Sequence, residues 1–65
     1  MIEVIFNGNK KQIEINGVIR GRDLFRKLNI NEEEYLLIVN GKLTPLEENI
    51  KDGSKVEILP VISGG

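Results

Sequence analysis

Residues 2–15 read Ile2-Glu3-Val4-Ile5-Phe6-Asn7-Gly8-Asn9-Lys10-Lys11-Gln12-Ile13-Glu14-Ile15, two alternating runs about a turn cluster. Ile2, Val4 and Phe6 alternate with Glu3 and Asn7, with Ile5 interrupting the polar side. Ile13 and Ile15 alternate with Gln12, Glu14 and Asn16. A period of two sends successive side chains to opposite faces, so both runs are expected as strands of one hairpin. A two-residue Asn7-Gly8 loop would set Val4 opposite Lys11 and place charge on the core face. A four-residue loop over 7–10 pairs Val4 with Ile13 and Ile2 with Ile15. A slip of one residue exchanges the faces, so the four-residue loop is the expected one.

Beyond the hairpin the period changes. Leu24, Phe25 and Leu28 form a short helical face, with Arg22, Asp23, Arg26 and Lys27 on the other side. Asp23 suits the first turn and Lys27 the last, against the helix dipole. A helix is expected at about 21–29, its start poorly marked because Arg20-Gly21-Arg22 offers no side-chain cap. Asn29-Ile30-Asn31 ends it, and Glu32-Glu33-Glu34 reads as a solvated turn.

Tyr35 to Val39 is expected as a third strand, with Leu37 and Val39 inward. Asn40-Gly41 signals a tight turn, and Lys42-Leu43 a short return strand. The stretch Thr44 to Ile50 reads as irregular, or as one helical turn. After the Asp52-Gly53 turn comes the last strand, Lys55 to Leu59. Pro60 has no amide hydrogen and belongs at the end of a ladder. The expected fold is α+β: a mixed four- to five-stranded sheet with one helix on one face. The first strand is expected to lie centrally, parallel to the last. This is the β-grasp, or ubiquitin-like, arrangement. It divides the chain into a domain at 1–60 and a flexible tail at 61–65.

The chain has 65 residues, enough for one small domain. It has no Cys and no His, which removes disulfides, thiol chemistry and nearly every zinc site. The core must be aliphatic, and ten isoleucines supply it. Net charge is −1, which argues against steering to nucleic acid. Residues 1–30 hold six basic and three acidic side chains, and residues 31–65 three and seven, so the halves carry +3 and −4. No signal peptide and no run long enough to span a bilayer is visible, so no membrane partner and a cytoplasmic protein are expected.

Catalysis needs a nucleophile, a base or a metal in a cleft. The hydroxyls are Thr44, Ser54, Ser63 and Tyr35, and no His is present to activate them. No phosphate loop occurs. Three aromatic residues, two of them expected in the core, do not make a base-stacking platform. The chain is therefore expected to bind no cofactor and no metal, and not to be an enzyme.

The remaining distinctive feature is the end of the sequence, Val61-Ile62-Ser63-Gly64-Gly65. Glycines can carry a bare carboxylate into an active site too narrow for a side chain. Extended, residues 61–65 span about 17 Å at roughly 3.3 Å each. The pattern Val39-Asn40-Gly41, Pro45, Ile50, Asp52-Gly53, Val56-Glu57-Ile58, Leu59-Pro60 and Ser63-Gly64-Gly65 resembles the ubiquitin-like sulfur carriers of the ThiS/MoaD type, which include archaeal small modifier proteins. The chain departs from that pattern in the scaffold, with Ile19-Arg20-Gly21 at the helix start and Ser54 after Asp52-Gly53.

The resemblance implies a function. An E1-like enzyme would use ATP to adenylate the Gly65 carboxylate. A sulfur donor would then convert it to a thiocarboxylate, presented by Val61, Ile62, Ser63 and Gly64. Its recipient would be a sulfur-acceptor synthase in thiamine, molybdopterin or tRNA thiolation chemistry. The alternative is a modifier joined through Gly65 to lysines of a target protein. Docking needs a surface. If Val4 and Phe6 face the helix, Ile5 faces outward, and the same alternation sends Ile38 and Leu59 outward on neighbouring strands. These three are the expected partner-binding residues.

Overall fold

The alternation at Ile2, Val4 and Phe6 becomes strand β1 (Ile2–Phe6), and the chain turns directly into β2 (Asn9–Ile13). The computed structural model describes residues 1–62. The hairpin loop is Asn7-Gly8, with φ of 52° and 76°. Positive φ at both positions gives the type I′ turn, whose twist matches that of the paired strands. Ile2 therefore lies opposite Ile13, and Val4 opposite Lys11. This corrects the expected four-residue loop. The face argument failed because β2 is the outermost strand of its sheet. Lys11 is exposed there, so its charge stays in water at no cost to the core.

Two short strands escaped the sequence reading. β3 (Val18–Arg20) precedes α1 (Gly21–Lys27), and it pairs antiparallel with a later strand, β6. The chain runs from α1 into β4 (Tyr35–Val39) and, over the Asn40-Gly41 turn, into β5 (Lys42–Leu43). A turn over Pro45–Glu48 then leads into β6 (Asn49–Lys51), so the segment expected to be irregular contains a strand. The last strand is β7 (Lys55–Pro60), ending at the proline as expected.

The sheet order is β2-β1-β7-β4-β5, with β3 and β6 forming a separate two-stranded sheet. β1 and β7 are parallel, and β7 and β4 antiparallel. One helix covers one face of this mixed five-stranded sheet, which is the β-grasp fold. The centre belongs to β7, with β1 beside it.

The helix begins without a side-chain cap. Instead the Gly21 amide donates to the Glu48 carbonyl at 3.0 Å and the Arg22 amide to the Leu46 carbonyl at 2.9 Å. Two amide hydrogens that a helix start leaves over are thus satisfied by the Pro45–Glu48 turn. Only glycine fits this approach: a Cβ on Gly21 would lie 2.6 Å from Leu37 Cδ2 and 3.1 Å from the Leu46 Cα and carbonyl oxygen. The other end closes as a Schellman motif. Asn29 sits at φ 59°, its amide donating to Arg26, while the Ile30 amide reaches the Phe25 carbonyl.

The core is Ile2, Val4, Leu24, Phe25, Leu37, Ile50, Val56 and Ile58, all essentially buried. Phe6 and Tyr35 close one end edge to face, with ring centres 5.2 Å apart. On the surface, Arg22 donates to Glu32 at 3.2 Å and to Glu47 at 2.9 Å, joining the turns at 32–34 and 45–48 to the helix start. A hydrogen bond from its own backbone amide, and then Arg22, hold the Glu47 carboxyl below its ordinary range.

Candidate functional site

With the helix on one face, the other face of the sheet is left open among the described residues. Alternation decides which side chains stand on it. Along β4, Leu37 is buried, so Leu36 and Ile38 point outward. Along β7, Val56 and Ile58 are buried, so Lys55, Glu57 and Leu59 point outward. Along β1, Ile2 and Val4 are buried, so Glu3 and Ile5 point outward.

The cross-strand register arranges these residues in rows. One row runs Lys10, Ile5, Glu57, Ile38, Leu43 across all five strands. The next row toward the end of β7 holds Leu59 beside Leu36. The row on the opposite side is polar, with Gln12, Glu3 and Lys55. The open face is thus apolar at the end where the chain leaves β7, and polar at the other. Lys10, at the β2 end of the Ile5 row, leans toward the polar row, its ammonium 4.0 Å from Glu3.

The sequence-predicted trio shares this face but not one row. Ile5 and Ile38 are half-buried and flank Glu57, and Leu59 stands one row on. The register also brings in Leu36 and Leu43, which sequence reasoning missed. Leu36 is 40%, Leu43 69% and Leu59 43% exposed, so the patch gains most of its open apolar surface from them. The alternation that turns Ile38 outward also turns Leu36 outward. The Asn40-Gly41 hairpin, with φ of 52° and 83°, then sets Leu43 opposite Ile38.

The root of the tail is fixed by one bond. The Val61 amide donates to the Glu34 carbonyl at 2.9 Å, extending the β7–β4 ladder past Pro60. Val61 is therefore anchored, and Ile62 is highly exposed beyond it. Ser63, Gly64 and Gly65, expected to present and carry the reacting carboxylate, lie outside the described residues.

Elsewhere, among the described residues, the surface has shallow hollows. One, beside the helix, is lined by Arg22, Phe25, Arg26, Asn29, Ile30 and Glu32 among others, and contains no nucleophile paired with a base. Among the described residues no three acidic side chains converge as a metal site, and no helix is long and apolar enough to cross a membrane.

Comparison with known proteins gives consistent results. The chain is 29% identical over 56 residues to the sulfur carrier protein TtuB of Thermus thermophilus, which covers 86% of each chain. The crystal structure of the thiamine biosynthesis protein ThiS from Geobacter metallireducens superposes with a TM-score of 0.71. It shares 22% identity over 97% of this chain and 99% of that one, a likeness of fold. A solution structure of a thiamine biosynthesis protein from the same organism gives a TM-score of 0.60 at 25% identity, over 97% and 87% of the two chains. The ThiS family model matches residues 4–65, from the first strand through the Gly-Gly, and so the chain belongs to the ThiS family.

Proposed function

We infer that this chain is a sulfur carrier, a protein acted upon rather than a catalyst, and that its reacting group is the carboxylate of Gly65. The observation that carries the reading is that the family match runs through Gly65, and that the chain leaves β7 at the apolar end of the open face. The likeness to a sulfur carrier protein favours a carrier over a modifier joined to lysines.

The chemistry follows from the carboxylate. Ionised at neutral pH, with a reference pKa of roughly 3.5, it is a poor electrophile. An E1-like enzyme supplies ATP. A Gly65 oxygen attacks the α-phosphorus, pyrophosphate leaves, and an acyl-adenylate forms. A donor delivering sulfur as sulfide attacks the acyl carbon, the bond to AMP breaks, and Gly65 becomes a thiocarboxylate. The domain needs no Cys for this. Its parts are a docking face, Ile5, Ile38 and Leu59 with Leu36 and Leu43, and a tail rooted at Val61. Beyond that root, residues 62–65 reach about 13 Å when extended. The acceptor on this reading is an enzyme of thiamine, molybdopterin or tRNA thiolation chemistry.

Mass spectrometry of the protein purified from its native cells tests this directly. An oxygen-to-sulfur mass gain on the Gly65 peptide is expected. Branched Ser-Gly-Gly remnants on lysines of other proteins, with no such gain, would favour the modifier. Removing Gly65 abolishes adenylation on this reading, and sustained turnover by the truncated protein would refute it. Ile38→Asp raises the KM for the activating enzyme in a folded domain, and an unchanged KM would place docking elsewhere.

A further inference from the structure

Glu57 occupies the centre of the open face. Its strand is the third of five, and its two cross-strand neighbours are Ile5 and Ile38. Leu59 and Leu36 stand in the next row, and Leu43 lies beyond Ile38. The side chain is already half-buried among these groups. Among the described residues it takes part in none of the ion pairs, which join Lys10 to Glu3, Arg22 to Glu32 and Glu47, Arg26 to Asp23, and the Met1 amine to Asp52. The neighbouring cation on its own strand, Lys55, is two residues back, about 7 Å away along an extended chain.

A partner that packs on this patch removes the remaining water from Glu57. An ionised carboxylate buried without a compensating group is strongly disfavoured. A wholly apolar partner surface is therefore a poor fit. So is a second copy of this chain, because a two-fold contact centred on the patch would press Glu57 against Glu57. A partner that offers apolar contact to Ile5, Ile38, Leu36 and Leu59, and a cation at the middle, satisfies both requirements. Arginine suits best, since its planar fork meets a carboxylate with two hydrogen bonds.

We propose that Glu57 is the specificity-determining residue of the docking face: it selects an apolar surface bearing a central arginine or lysine, and it keeps two copies of the carrier from pairing through the same patch. This rests on the sulfur-carrier reading, so the partner is the adenylating enzyme. The charge contributes orientation and discrimination, and the aliphatic side chains contribute area.

Pyrophosphate release by the adenylating enzyme of the same cells, with wild type and Glu57→Gln as substrates, tests the first half. The expected result is a KM for the carrier about 30-fold higher in the variant with kcat nearly unchanged, because the lost interaction serves binding alone. The wild-type KM rises with ionic strength, and that dependence is weaker in E57Q. Equal KM values for the two proteins at low salt overturn the proposal. If wild type is not adenylated at all, the sulfur-carrier reading itself fails, which is a different result. Sedimentation tests the second half independently of any enzyme. Glu57→Ile is expected to self-associate at concentrations where wild type is monomeric, and adding Ile38→Asp restores the monomer. A wild type that dimerises through this face, or an E57I that stays monomeric, overturns it. Circular dichroism melts of each variant confirm that the domain is folded.

Discussion

Gly21→Ala adds a single methyl group, and its cost can be worked from the neighbours. The new Cβ would stand 2.6 Å from Leu37 Cδ2, and 3.1 Å from both Cα and the carbonyl oxygen of Leu46. The first clash is with the tip of a side chain that can rotate. The second is with backbone that cannot, since the Leu46 and Glu48 carbonyls accept the Arg22 and Gly21 amides at 2.9 and 3.0 Å. Relief requires the Pro45–Glu48 turn to move off the helix and lengthen both bonds. Overpacking of this kind costs about 1–3 kcal/mol, and a contact against fixed backbone belongs toward the upper end. Alanine returns at most about 1 kcal/mol of helix propensity, and less in the first turn. The net loss is about 1.5–2 kcal/mol, which for a domain this size lowers Tm by roughly 6–16 °C. Thermal and urea unfolding followed by circular dichroism would measure it. A variant as stable as wild type would refute the reasoning, by showing that the turn yields freely or that helix propensity dominates.

Three further outcomes are expected. Asn40→Ala loses the Lys55 amide bond to Asn40 Oδ1 at 2.9 Å and puts alanine at φ 52°. It should cost about 2–3 kcal/mol, whereas Asn40→Gly keeps the turn and costs about 1 kcal/mol, so paired urea midpoints separate backbone from hydrogen bond. Phe25→Ala empties a fully buried site. A loss of about 3–5 kcal/mol rivals the whole stability of a small domain, so the cooperative melt should vanish from calorimetry. Glu47 titrates below its ordinary value of 4.5 in the folded chain, because of its own amide and Arg22. Its folded pKa is depressed, so its contribution is full above pH 4.5 and is lost as pH falls through the lower folded value. Glu47→Gln should flatten that acid limb in urea midpoints measured at descending pH, and unchanged slopes would count against the pairing.

The fold was legible wherever an element is long enough to show its period. Ile2, Val4 and Phe6, the Leu24-Phe25 pair and the strand before Pro60 each state their own structure. β3 and β6 do not, because three residues with one inward side chain, Ile19 or Ile50, cannot display alternation. They are strands because each pairs with the other across about thirty residues, a tertiary fact. The hairpin register was missed for a related reason. Penalising Lys11 opposite Val4 assumes that the helix covers the whole sheet, and the sequence does not say where the cover stops. At the site, alternation sufficed to turn Ile5, Ile38 and Leu59 outward. It could not say which residue stands between the first two. That depends on how far β7 is shifted along β1 and β4, and the shift placed Glu57 there.

The parallel pairing of β1 with β7 has a mechanical consequence. The two strands hold the two ends of the domain, side by side at its centre, in a register running from Glu3 with Lys55 to Phe6 with Ile58. Because they point the same way, the chain enters β1 at one end of the sheet and leaves β7 at the other. Tension drawn from the far side of Val61 slides β7 along its neighbours, loading all their backbone hydrogen bonds together instead of peeling them in turn. β4 grips the opposite edge of the same strand, up to Tyr35 beside Pro60. On the sulfur-carrier reading, a pull on the chain beyond Val61 would bear on the strand that is paired along both of its edges.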